Sequence, residues 1–435
     1  MKKYLHHCLF LIPILLMVSC STAETRDLGN SGNSQVDLIE KETDKSQENT
    51  ESSTPKTDKI TVWGYYDGWI QGKKNFENEH PGITIEFQKV DGNVTEKYLS
   101  ALASGSPPDI LLVQSSQMGQ LNLIEGLENL FGPPYNAGEE IDKFSEHQLS
   151  WTRSLDGKKL LALPLVHNPS VLYYRSDILE QYGFPTDPEE LGEYMEDPQR
   201  WIAMIRELKK HNKWVLQWRM DPIEVVSSDQ GFFDNNMKFV RNTRDYEIVL
   251  SLARQVKEEG LELSQGIWDP VGQESIREGK IVMVQLGSWG EYTLNSWAPE
   301  TKGKWRVTRL PFGVYAANGA SALAITSQSK YKELAWKFVK KIVDDDRRYY
   351  KDIVNNKSNF LGGQHAEKLY AELREKIPLV YCTPMDLKLS RWWDERMYDF
   401  IHSSEGDASG ELDRIEETIY KDYNKEISSI LRYMD

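Results

Sequence analysis

The sequence predicts an α/β protein, on three observations. Asp109-Ile110-Leu111-Leu112-Val113 is a continuous apolar run of the kind found in strands covered on both faces. Two alternating β-rich segments precede it, residues 59–63 and 83–87, each followed by a helical pattern. Strand, helix, strand, helix, strand is the order that builds a mostly parallel sheet with right-handed crossovers. With 435 residues, 39% of them hydrophobic and 27% charged, the chain has enough core for two domains.

The first elements lie outside that fold. Lys2 and Lys3 precede an apolar stretch over residues 9–18, the pattern of an export signal and too short to span a bilayer comfortably. It ends in Leu16-Met17-Val18-Ser19-Cys20, which resembles a lipobox, with Met17 where leucine is usual. The reading is a cleaved signal, residues 1–20, and a diacylglycerol thioether (with palmitate-type chains) on Cys20; the plainer reading is an ordinary signal with a chance cysteine. Residues 21–58 are polar and charged, with too few large apolar side chains to fold. They make a tether of about 35 Å r.m.s. reach. Cys8 leaves with the signal, so only Cys382 remains; it is expected to be a small buried hydrophobe, with no disulfide framework.

After the strand at 59–63 comes the loop Gly64-Tyr65-Tyr66-Asp67-Gly68-Trp69, then a helix to about His80 that stops at Pro81-Gly82. Asp156-Gly157 is a hairpin-type turn. The apolar run over residues 160–166 is interrupted by Pro164, which removes a ladder donor and predicts an edge strand or a change of sheet. Val171-Leu172-Tyr173-Tyr174 is a strand, and Ser176 and Asp177 are N-cap candidates for the helix behind it. Residues 198–210 place Trp201, Ile202, Ile205 and Leu208 on one helical face. Residues 214–218 read as a strand, 248–259 as a helix and 305–311 as a returning strand. Arg391-Trp392-Trp393 opens a helix, and residues 412–431 form the last one. No internal repeat is visible.

Six segments resemble, in order, those of ABC-importer extracellular solute-binding proteins of the maltose-binding, carbohydrate-binding type. They are FENEHPGITIEF at 76–87, the Pro108-Asp109 strand, DGKKLLALP through YYRSDI at 156–178, the Gly279-Lys280 segment leading to Gly287-Ser288-Trp289, the glycine-led strand after Asn318, and Ser329 to Phe338 with Ala335 and Trp336. Ile276 stands where the family has phenylalanine. The resemblance implies a two-lobed periplasmic-binding-protein-like fold of type II with hinge strands between the lobes. Lobe one would be 59–147 plus 304–345 and lobe two 148–303 plus 346–435. It also implies capture of a sugar between the lobes, hinge closure, and delivery to the transmembrane subunits of an ABC permease by a monomer held on the outer face of the cell membrane.

Chemistry is not signalled. There is no HExxH, no GxSxG elbow, no Cys/His metal spacing and no cofactor motif, and Gly279-Lys280 lacks the spacing and hydroxyl of a phosphate loop. A net charge of −15 argues against nucleic acid. The positive signal is aromatic: 13 Trp, 21 Tyr and 13 Phe. Flat rings match the C–H faces of sugars while amides and carboxylates take the hydroxyls. In open α/β lobes ligands lie off the carboxyl ends of strands. The candidates are therefore Tyr65, Tyr66 and Asp67 after the first strand, Gln114 and Ser116 after the third, and Asn168, beside His167, in the loop after Pro164. The resemblance adds Trp289 as a stacking ring, and Trp392 or Trp393. Trp268 is a weaker candidate, and Trp201 and Trp336 are structural. Arg175 and Arg391 would matter only for an acidic sugar. A non-sugar solute such as a peptide or polyamine, a tethered glycan hydrolase and a sugar sensor are the alternatives.

Overall fold

The computed structural model describes residues 58–165, 167–228 and 230–434. The expected signal segment, Cys20 and nearly all of the tether lie outside them. Among the described residues eight strands, β1 (Asp58–Gly64), β2 (Ile83–Lys89), β3 (Ile110–Gln114), β4 (Leu163–Pro164), β5 (Ser170–Arg175), β6 (Met283–Gly287), β7 (Trp305–Thr308) and β8 (Ser321–Ile325), make two sheets. The first has the order β2-β1-β3-β8-β4 and the second β6-β5-β7.

In the first sheet β1 pairs in parallel with β2 and β3, while β8 runs antiparallel to β3 and β4. Residues 110–113 of β3 are fully buried, as a central strand requires. Asp109 fixes the register from outside the ladder: its carboxylate accepts from the Thr61 amide at 2.8 Å and from Ser329 Oγ at 2.6 Å, tying β1 to the loop after β8. Pro164 lies in the edge strand, where a missing amide costs nothing. Helices Ile70–Glu79 and Lys332–Ile353 cover this sheet, Phe76 meeting Phe338 edge-on at 5.2 Å.

All three strands of the second sheet pair antiparallel about β5. Helix Pro198–Lys210 buries Trp201, Ile202, Ile205 and Leu208 as its pattern predicts. A further helical cluster gathers around Trp393 from helices Arg244–Glu259, Pro384–His402 and Ala408–Asp422. It grips the first sheet's side through helix Ser115–Leu121, where Gln120 Nε2 donates to the Pro384 carbonyl at 2.9 Å and Asn122 Nδ2 to that of Cys382 at 2.7 Å. Cys382 itself is buried in an apolar cluster.

Two chain segments cross between the sheets side by side. The Ser170 amide donates to the Ala316 carbonyl at 2.8 Å and the Asn318 amide to that of Asn168 at 2.7 Å. Sheet membership changes here, so β4 lies with the first sheet and β7 with the second, opposite to expected lobe edges at 148 and 304. Other expectations also shift. Residues 214–218 make only single bridges, Trp214 to Ile281 and Leu216 to Glu262, because no neighbouring strand runs alongside. Ser176 and Asp177 are helical rather than capping, and Asp177 holds Arg175 instead. The helix bearing Trp392 begins at Pro384, with a Thr383–Asp386 capping box in front, and the final helical run breaks at Tyr423.

Candidate functional site

At the carboxyl end of β1, the Tyr65 and Tyr66 rings meet at a tilt with centroids 5.3 Å apart, and Tyr66 meets Trp69 likewise at 5.6 Å. The Tyr65 hydroxyl meets Ser321 Oγ, and Ser321 pairs with Gln114 across β8 and β3. Burial holds the Tyr65 phenol above its ordinary pKa, against opposing bonds from Ser321 and Gln114. Gln114 also caps the helix behind it, its backbone amide donating to Gln117 Oε1 at 2.9 Å. Ser116 is exposed in that first turn.

From Ser321 the contacts pass along the crossing segment. Ser321 Oγ bonds the Gly319 carbonyl at 3.2 Å, and the Asn318 carbonyl accepts from Trp289 Nε1 at 3.4 Å. Asn168 sits beside them, its Oδ1 accepting from Ser288 Oγ at 2.9 Å and the Tyr350 hydroxyl at 3.3 Å. Gly287 makes the indole's position possible: a Cβ there would stand 2.3 Å from Trp289 Nε1. Trp289 is 37% exposed and leans on Trp268, centroids 6.2 Å apart, which in turn meets Trp297 edge-on at 5.0 Å.

Beyond Trp268 opens a cavity of about 430 Å³ between β5, β6 and helix Asp221–Ser227. Trp218 and Trp268 border it, 45% and 61% exposed, over a floor of Trp201, Leu172 and Met283. Its polar groups among the described residues are Gln217, Asp221, Glu224, Ser228, Gln285 and Asn318, with no lysine or arginine among the described lining residues. Asp221 Oδ2 accepts from the Gln217 and Trp218 amides at 2.7 and 3.2 Å. Burial, with Glu224 beside it, pushes the Asp221 carboxyl up to about 7. Gln285 Nε2 is aimed by Ser170 Oγ at 3.1 Å and Ser228 Oγ at 3.0 Å. Exposed indole faces beside oriented acceptors and donors are what a polyhydroxylated ring requires; nothing in the group resembles a nucleophile with its base.

Tyr65, Tyr66, Gln114, Asn168 and Trp289 thus belong to one continuous string of contacts. Asp67 is turned aside and paired with Lys73. Trp393 is 2% exposed, its ring enclosed by Phe232 at 5.9 Å, Tyr246 at 5.4 Å and the Arg241 guanidinium at 5.1 Å, so it has no free face to offer. Trp392 is half-buried on the same cluster. Arg175 is buried against Asp177 and Arg391 is exposed beside Glu395, so neither borders the tryptophan cavity. Sequence reasoning passed over Trp218, Asp221, Glu224 and Gln285. Tryptophan in a segment without ladder partners, followed at once by a Pro-initiated helix, is the signal that marks the first two.

Residues 64–346 match the family model described as bacterial extracellular solute-binding protein. The lactose-binding protein of Rhizobium radiobacter is 25% identical over 366 residues, covering 74% of this chain and 83% of that one. In three dimensions the chain is similar to the galacto-N-biose-/lacto-N-biose I-binding protein of a Bifidobacterium longum ABC transporter, with TM-score 0.67, 18% identity, and coverage of 86% and 98%. It is similar also to the sugar-binding protein MalE of Xanthomonas citri, with TM-score 0.65, 14% identity, and the same 86% and 98% coverage. Both likenesses are of fold: two lobes, each with its own sheet.

Proposed function

The chain belongs to the bacterial extracellular solute-binding protein family, and from that premise we propose that it captures a neutral sugar or oligosaccharide for an ABC importer. The observation that carries this reading is the tryptophan cavity: Trp218 and Trp268 present apolar faces beside Asp221, Glu224 and Gln285. Tyr65, Tyr66 and Gln114 line the approach from the other lobe, Asn168 stands on the crossing segment, Trp289 follows the cavity's own strand β6, and Trp392 contributes from the C-terminal helices. The relatives named for lactose and lacto-N-biose support a sugar of that class. Lobe one comprises the first sheet with its helices and lobe two the second; they close about the paired segments near Asn168 and Asn318. The closed monomer docks on the permease. Lys2, Lys3 and the Leu16–Cys20 pattern support an export signal, lipid attachment at Cys20 and a tethered extracytoplasmic location.

A second reading has its own support. A cavity bordered, among the described residues, by two carboxylates and no cation also suits an amine-bearing solute such as a polyamine. A thermal-shift panel of neutral oligosaccharides, uronic-acid oligosaccharides and polyamines separates the two. A ligand at a hundred times its Kd adds about 2.7 kcal/mol of stability. Neutral sugars are expected to stabilise and acidic sugars not to; a shift from polyamines alone moves the chain to the second reading. For the sugar that binds, Trp268→Ala and Trp289→Ala are each expected to weaken affinity about tenfold, about 1.4 kcal/mol. Unchanged affinity in calorimetry removes that ring from the site.

A further inference from the structure

A second cavity, of about 740 Å³, shares no lining residue with the tryptophan cavity. Lys143, Arg347, Arg348, Lys351 and Arg374 border it, opposed by Asp142 and Glu375. Two histidines also reach it. His147 is 5% exposed and His167 1%, with rings edge-to-face at 4.9 Å.

Their neighbours decide their tautomers. Trp151 Nε1 donates to His167 Nε2 at 3.2 Å, so in the neutral ring the proton sits on Nδ1. His147 Nδ1 faces the Pro378 carbonyl, which only accepts, so that nitrogen carries the proton and Nε2 keeps its lone pair. Burial lowers both pKa values, and for His167 the neighbouring His147 and Arg374 add to it, so both rings are neutral at pH 7. The free donor, His167 Nδ1, and the free acceptor, His147 Nε2, are buried and without hydrogen-bond partners. Arg374 Nε is anchored on the His167 carbonyl at 2.7 Å, while its Nη2 makes no hydrogen bond, the Glu367 carboxylate standing 3.6 Å away. Unsatisfied buried polar atoms are rare because each carries its full desolvation cost. Here two lie on facing rings that line one cavity, with the Arg374 guanidinium, ion-paired to Glu367, and a cationic rim beside them.

We infer that this cavity is an anion site for hydrogen phosphate. An oxyanion that keeps one proton at neutral pH matches the set: its O–H donates to His147 Nε2, its charged oxygens accept from His167 Nδ1 and Arg374 Nη2, and Arg347 and Lys351 supply charge from the rim. Sulfate has the same shape and charge but no proton, and it sets a lone pair against the lone pair of His147.

The test is calorimetry of the full chain at pH 7.5 and fixed ionic strength, with inorganic phosphate and with sulfate. Phosphate is expected to bind about tenfold more tightly than sulfate, the worth of one hydrogen bond to a charged group. His147→Phe is expected to bring phosphate down to the sulfate level. Lys351→Gln, on an exposed side chain whose loss leaves the fold intact, is expected to weaken both anions alike. No heat from phosphate means that a water bridges the two rings and overturns the proposal. Equal affinity for the two anions overturns it also. So does capture by phosphatidic acid vesicles without binding of free phosphate, which marks a surface charge contact instead.

Discussion

At Asp221 the needs of a ligand oppose those of the fold. The carboxylate is held by two backbone amides, yet its burial beside Glu224 pushes it up to about 7. A carboxyl whose folded pKa lies above its unfolded value of about 3.9 binds its proton more tightly when folded. Its contribution to stability is therefore greatest below pH 4 and is lost as pH rises from about 4 to about 7. Asp221→Asn removes that titration, and its melting temperature relative to the wild type should be more favourable at pH 8 than at pH 4.5. An equal difference at the two pH values would show that Asp221 is solvated like a surface carboxylate. Residue roles of this kind were only half legible. Tyr65, Gln114 and Trp289 follow strands, and position after a strand is a local property. That Trp393 rather than Trp392 is enclosed depends on which face of a helix meets Phe232 and Tyr246, which adjacent tryptophans in a sequence do not reveal.

Elements were legible where one local rule governed them. Residues 198–210 form a helix because Asp197 caps it, Pro198 starts it and one face is apolar. Residues 214–218 have strand composition but no partner to pair with, and a strand is made by its neighbour. Helix Ser115–Leu121 shows how a neighbour decides an energy. Gly→Ala in a helix ordinarily gains up to about 1 kcal/mol. At Gly119 the added Cβ would stand 2.3 Å from the Thr383 carbonyl oxygen, so the helix and the segment leading into Pro384–His402 would have to separate. Gly119→Ala is expected to destabilise the chain by about 1–3 kcal/mol, as overpacking does. A gain in urea denaturation would mean that this contact is loose.

For the whole molecule, anchoring and capture are separate matters. The reading of Cys20 as the lipid-bearing residue rests on the sequence, and Cys20→Ala should move the protein from the membrane fraction into the soluble one. Retention in the membrane fraction would sink the anchor. Composition, charge and the ordered motifs by themselves determined an α/β solute-binding chain, because buried strands and helix starts are written in short runs of neighbouring residues. Only the tertiary structure decided where the sheets exchange strands, which tryptophans keep an open face and which carboxylates share their cavity. Those outcomes depend on contacts such as Tyr65 with Ser321, Trp289 with Asn318 and Gln285 with Ser228, made between residues far apart in the chain. Burial and pKa follow from what surrounds a side chain in space, and no window of sequence contains those surroundings.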